Sequence, residues 1–127
     1  MSINILVIDD EEVIRKSFIL ALEGTDYNVE TAESGEQGIE KARETKFHLI
    51  FLDLRMPGLD GVETLRELWR MGQTAPIYIT TAFYDDFLDR LQSATDDAIS
   101  FYLLKKPVDG DEIRSMAQVL SEHKIRF

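Results

Sequence analysis

Short apolar runs alternate along this chain with segments whose apolar residues recur at helical spacing. The runs INILVI (3–8), NVETA (28–32), HLIFLD (48–53), PIYIT (76–80) and SFYLL (100–104) predict five strands. Ile14, Phe18 and Leu22 form one helical stripe, Val62, Leu65 and Leu68 a second, and Ile113, Met116 and Leu120 a third after the last run. Ser34 with Gln37, and Asp109 with Glu112, stand at capping-box spacing and predict helix starts. Strand and helix alternating in this way argue for an α/β layer architecture around a parallel sheet. No repeat, low-complexity tract or linker interrupts the pattern, so the expectation is five β-α units in one domain, residues 1–127.

Composition narrows the chemistry. A chain of 127 residues buries roughly two thirds of the surface its unfolded form exposes, enough for one complete core. There is no cysteine, which removes disulfides, thiolate nucleophiles and thiolate metal sites and suits a reducing compartment. Any metal must sit on oxygen ligands or on the two histidines. No apolar run reaches the ~18 residues of a membrane span, and MSINILVIDDEE lacks the features of a signal peptide, so a soluble cytoplasmic protein without membrane insertion is expected. The formal net charge of −10 disfavours direct nucleic-acid contact and favours a metal ion or a cationic partner.

In a parallel sheet the functional crevice lies where the carboxyl ends of the strands and the following loops converge. Four of the five predicted strands deliver polar groups there: Asp9 and Asp10, Asp53, Thr80 and Thr81, and Lys105 and Lys106 before Pro107. Each alone has a bland explanation: a solvated helix cap, a turn carboxylate, a strand terminus, an exposed lysine. Together they do not. Asp53 ends the apolar run LIFL, although an anion is costly to bury there. Carboxylates within ~5 Å of one another repel and raise each other's pKa unless a cation sits among them. Oxygen ligands alone point to Mg²⁺ or Mn²⁺. A lysine, a hydroxyl and a metal facing a carboxylate make a phosphoryl-binding constellation.

ILVIDDEE, LIFLDLRMPGLDG, YITTA and LLKKP, in that order, resemble the receiver domain of two-component response regulators across essentially the whole chain. The resemblance implies a flavodoxin-like, doubly wound fold: a three-layer α-β-α sandwich with a five-stranded parallel sheet of order 2-1-3-4-5. It implies a signalling switch and not a turnover enzyme, with Asp53 as phosphoacceptor for a phosphohistidine of a sensor kinase or histidine phosphotransfer protein. Asp10 would ligate Mg²⁺ directly and Asp9 through water, alongside Asp53 and the backbone carbonyl of Arg55. Thr81 would bond a phosphoryl oxygen, Lys106 would pair with the acyl phosphate, and the Lys106–Pro107 peptide would be cis. A surface change around the fourth helix, fifth strand and fifth helix would signal to a downstream protein. With no pattern beyond the fifth helix, a receiver standing alone is expected.

The pattern departs from the family between Ala82 and Ser100, where AFYDDFLDRLQSATDDAIS is a few residues long and Ala98–Ile99 replaces the usual Gly-Ala. At strand 5 two rules conflict: the usual aromatic spacing pairs Tyr102 with Lys105, whereas the following proline selects Lys106. The proline rule is preferred, because its ring constrains the backbone. Leu103 then takes the switch position, unless a bulge at Leu104–Lys105 restores Tyr102 to that face. Arg55 and Phe83 are expected to flank the path of a hydrolytic water. MPGLDG reads as a tight turn in which Pro57, Gly58 and Gly61 set the backbone and Gly58, Leu59 and Asp60 merely connect. Trp69 and Tyr78 are expected to pack, and His48 and His123 have no assigned role. Rival readings are a Mg²⁺-dependent aspartyl-phosphate phosphohydrolase, disfavoured because Arg55 stands where a second acid belongs; a pseudo-receiver, disfavoured because the acids and lysine are present; and a flavin-binding domain, disfavoured because no phosphate loop follows strand 1.

Overall fold

A computed structural model describes residues 3–82 and 84–125, with side chains through 119. Five strands, β1 (Ile3–Ile8), β2 (Tyr27–Ala32), β3 (Leu49–Asp53), β4 (Ile77–Thr81) and β5 (Tyr102–Lys105), pair in the order β2-β1-β3-β4-β5, and every neighbouring pair is parallel. The helices are α1 (Glu12–Ala21), α2 (Gly35–Glu44), α3 (Gly61–Arg70), α4 (Leu88–Asp96) and α5 (Gly110–Ile125). The expected doubly wound α-β-α sandwich is observed.

Side-chain alternation along the strands divides the core between the two faces. Leu6, Ile8, Ile50, Leu52 and Ile79 pack with Ile39 of α2, Leu65 and Leu68 of α3 and Leu91 of α4. Ile5, Val7, Leu49 and Phe51 pack with Phe18 of α1 and Ile113 of α5. The central strand β3 is buried at all five positions, as a strand covered on both faces must be. On the α1/α5 face Phe18, Phe51, Tyr78 and Tyr102 form an aromatic row with successive ring centroids 4.7, 5.9 and 4.9 Å apart.

Several local expectations are corrected. Asp109 and Glu112 form the full reciprocal box, but at α2 only half of it forms: Ser34 Oγ accepts from the Gln37 N–H at 3.1 Å while Gln37 Oε1 takes the Glu33 N–H. Asp60 is no mere connector. It caps α3 in a complete box with Glu63. Gly61 serves close approach, since a Cβ there would stand 2.2 Å from the Asp53 carbonyl oxygen, whereas Gly58 supplies the left-handed backbone at φ 75°. Trp69 is 51% exposed because it lies beside the Val62, Leu65, Leu68 stripe and not on it. Leu120 and His123 lie outside the described side chains.

The long segment after β4 is accommodated by a 3-10 turn, Tyr84–Phe87, ahead of α4. That helix closes with Ala98 N–H on the Thr95 carbonyl and Ile99 N–H on the Ala94 carbonyl, a Schellman end with alanine at φ 66° where glycine is the usual occupant. Because this end occupies residues 98 and 99, β5 begins at Tyr102 and not at Ser100.

Candidate functional site

Asp9 directly follows β1, a strand whose last four residues are buried, and its backbone N–H continues the ladder to the Ala32 carbonyl. Its carboxylate is 1% exposed. One oxygen accepts the Glu11 N–H at 2.9 Å and the other the Lys106 Nζ at 2.9 Å. Arg15 of α1 donates to the Asp9 carbonyl at 2.8 Å, fixing the turn from β1 into α1. Asp10 beside it is exposed. Asp53 ends β3 at 4% exposure, with one carboxylate oxygen 3.2 Å from Lys106 Nζ. Ligand atoms of Asp9, Asp10 and Asp53 all lie within 4.8 Å of one another.

Lys106 reaches this cluster because β5 holds its register. The ladder runs unbroken from Tyr78–Tyr102 to Thr81–Lys105, and the Lys106 N–H then donates to the Thr81 carbonyl at 3.0 Å. There is no bulge. Tyr102 stacks on Tyr78, Leu103 projects from the opposite face, and Lys105 is exposed. The Lys106–Pro107 peptide is cis. Thr81 is buried at the end of β4, on the wall of an open pocket shared with Asp85, Asp86, Lys105 and Lys106. The Arg55 side chain turns to Asp86, 3.4 Å away. Phe83, the other residue expected beside a water path, lies outside the described residues.

The electrostatics follow from this geometry. Burial, reinforced by the negative charge of Asp9, pushes the Asp53 carboxyl up to about 7 against the opposing pull of Lys106. Burial pulls the Lys106 ammonium down, but its hydrogen bond to Asp9 and the charges of Asp53 and Asp9 outweigh this and hold it above its ordinary value. The residues fit a hard divalent cation: three carboxylates converge, the donors are all oxygen, and the Lys106 ammonium offsets only one of their charges.

Two contacts near the site were not foreseen. Arg90 of α4 binds Asp60 through two hydrogen bonds, and Arg66 of α3 binds Asp97 and Ser93. The Asp60-x-x-Glu63 cap was legible in sequence, but pairings some thirty residues apart depend on how α3 and α4 pack.

Residues 5–118 match the model of the response regulator receiver domain. The chain is 39% identical over 98 residues to the transcriptional regulatory protein ResD of Bacillus subtilis, covering 76% of this chain and 40% of that protein. It is 32% identical over 122 residues to ZraR of Escherichia coli, covering 96% of this chain and 27% of that one. It thus spans less than half the length of either relative. Among solved structures, TrrA of Thermotoga maritima, in complex with Mg²⁺ and beryllofluoride, superposes with a TM-score of 0.74 at 32% identity, covering 93% of this chain and 98% of that one. A CheY-like receiver from Methanospirillum hungatei has the same fold, with a TM-score of 0.83 at 23% identity and full coverage of both chains. The chain belongs to the response regulator receiver family of two-component systems, whose members are signalling switches and not metabolic enzymes and bind Mg²⁺ at an aspartate cluster. Among the described residues no helix is long and apolar enough to cross a membrane.

Proposed function

We propose that this domain is a phosphorylation-dependent switch in a phosphorelay, with Asp53 as its phosphoacceptor. One observation carries the reading: Asp53 is buried at the tip of β3, 3.2 Å from the Lys106 ammonium and within ligand reach of Asp9 and Asp10. A buried carboxyl raised to about 7 where three carboxylates and a lysine converge supports a functional role for Asp53.

The donor in this reading is a phosphohistidine of a sensor kinase or histidine phosphotransfer protein. An Asp53 carboxylate oxygen attacks phosphorus in line. The P–O bond forms as the P–N bond breaks, and the electron pair leaves with the imidazole nitrogen, which takes up a proton. Asp9, Asp10, Asp53 and the Arg55 backbone carbonyl would hold Mg²⁺, or Mn²⁺, which supplies charge neutralisation to the phosphoryl oxygens. Lys106 orients the Asp53 oxygen before attack and pairs with the acyl phosphate afterwards. Thr81 donates its hydroxyl to a phosphoryl oxygen. The modified domain signals to a downstream protein through the surface around α4, β5 and α5. It acts in the cytoplasm, without direct nucleic-acid contact or membrane insertion.

Intact-mass spectrometry after acetyl phosphate with Mg²⁺ tests this. The wild type should gain one phosphoryl mass, whereas Asp53→Asn, or the wild type in excess EDTA, should gain none. Equal labelling of the Asn variant overturns the assignment of Asp53, and equal labelling in EDTA overturns the metal site.

A further inference from the structure

Residues 84–97 are fastened to the loop after Asp53 and to α3 by three arginine–carboxylate contacts. The tightest is Arg90, in the first turn of α4: Nη1 donates to Asp60 Oδ2 at 2.6 Å and Nη2 to Oδ1 at 3.0 Å. That same Oδ1 accepts the Glu63 N–H at 3.0 Å, so one carboxylate caps α3 and grips α4. Burial alone would raise the Asp60 carboxyl, but the Arg90 hydrogen bond and the backbone donors hold it below its ordinary value. Arg90 also lies over the Phe87 ring, 5.8 Å from its centroid. Because α4 has Phe87 at its N-cap and no side-chain cap hydrogen bond, its first turn is anchored instead by Arg90 reaching out to the Asp60 carboxylate of the α3 cap. Arg66 to Asp97 at 2.8 Å and Arg55 to Asp86 at 3.4 Å complete the fastening.

The other end of this linkage rests against the acid itself. Gly61 is packed so closely on the Asp53 carbonyl that no Cβ fits, and its N–H donates to the Leu54 carbonyl at 2.9 Å. Any shift of the Asp53 backbone is therefore passed to Gly61 and to its neighbour Asp60, because a close-packed contact transmits displacement. A two-pronged ion pair demands fixed geometry, so a small displacement loosens it.

We propose that the Asp60–Arg90 pair is a latch that holds α4 against α3 in the unmodified protein and is released when Asp53 carries a phosphoryl group. This rests on the phosphoacceptor reading above. Linkage then requires the converse: loosening the latch must favour the modified state by the same factor by which modification favours release.

Two variants separate the latch from fold stability. Asp60→Asn keeps a capping oxygen for α3 but loses the charge, and Arg90→Met keeps an apolar stem over Phe87. Beryllofluoride with Mg²⁺ serves as the phosphoryl stand-in. Hydrogen exchange across 84–97 in the unmodified protein should rise about 5-fold in each variant, toward the rate of the beryllofluoride-loaded wild type. Beryllofluoride affinity should tighten about 3- to 10-fold, the size of a modest coupling, with no further gain in the double variant. Unchanged exchange overturns the latch, and faster exchange with unchanged affinity reduces it to a static tether, also overturning the proposal. If the wild type takes up no beryllofluoride, the phosphoacceptor reading fails and the latch loses its trigger. If the wild type binds normally and the variants match it, the latch alone is wrong.

Discussion

The acidic cleft and the α4–β5 region sit side by side on one sheet yet are held by different means. In the cleft, Asp9 follows β1 and Asp53 ends β3, two interior strands flanked by partners and covered on both faces, and the two residues are 1% and 4% exposed. In the neighbouring region β5 is an edge strand with Tyr102 and Leu103 exposed, α4 lacks a side-chain N-cap, and beyond its buried Leu91 and Ala94 it is tied to α3 by solvent-facing ion pairs. Exposed pairs of this kind each contribute on the order of 0–1 kcal/mol, whereas burying strands of Ile, Leu and Phe contributes about 1.5–3 kcal/mol per side chain. Rigidity is concentrated where charges must stay fixed. Weak, reversible contacts are concentrated where the proposed switch would change shape.

The sharpest way to break this contrast is to remove the charge that the cleft holds under strain. With metal removed by excess EDTA, burial should hold the Asp53 carboxyl up to about 7 in the folded protein against 3.8 ordinarily, so the folded state should bind the proton more tightly. Between about pH 4 and 7 the unfolded chain therefore carries fewer protons than the native one, and stability falls as pH rises, levelling off above 7. Three pH units at about 1.4 kcal/mol each set a ceiling of ~4 kcal/mol. Chemical denaturation of wild type and Asp53→Asn should show curves that converge near pH 4 and separate by up to that amount at pH 8, the variant being more stable. Parallel curves would show that the cleft carries no such strain.

Next in size is the choice between two adjacent lysines. Lys106→Ala leaves Asp9 and Asp53 buried without their shared cation and should cost roughly 3 kcal/mol at neutral pH without metal. Lys105 is exposed on the other face of the strand, and Lys105→Ala should stay within ~0.5 kcal/mol of wild type. In acetyl phosphate labelling Lys106→Ala should lose stable phosphorylation or its conformational response, while Lys105→Ala keeps both. The reverse pattern would place the wrong lysine in the cleft.

The same contrast governs what the sequence could reveal. Asp9, Asp10, Asp53 and Lys106 were legible because each follows an apolar strand, and strand ends in a parallel sheet converge. Pro107, whose geometry is local, pointed to Lys106 over Lys105, and Lys106 is the one that reaches Asp9 and Asp53. The α4 region resisted because its determinants are relational. Asp60 has the spacing of a cap, yet its grip on Arg90 exists only once α3 and α4 lie together. Trp69 has the composition of a core residue, but a rotation of about 100° from Leu68 leaves it half exposed. The strand start at Tyr102 was displaced because a helix end without glycine still closes in the left-handed form.

That helix end allows the finest comparison, since α3 and α4 terminate with the same hydrogen bonds. At α3, Gly72 N–H donates to Trp69 and Gln73 N–H to Leu68, with Gly72 at φ 82°. At α4, Ala98 and Ile99 repeat the pattern with Ala98 at φ 66°. A left-handed alanine costs on the order of 1 kcal/mol that glycine avoids, and Ala98 is exposed, so its methyl contributes little packing in return. Ala98→Gly should therefore stabilise the domain by about 0.5–1 kcal/mol. A Cβ at Gly72 would meet nothing within 4 Å, so Gly72→Ala should cost a similar amount through the backbone alone. If the two exchanges are equal and opposite in urea denaturation, the alanine at α4 is a local weakness in the fold of this region. A neutral Ala98→Gly beside a costly Gly72→Ala would instead mean that α4 gains nothing from a better end, its register already being set by Arg66 on Asp97 and Ser93 and by Ile99 in the core beneath.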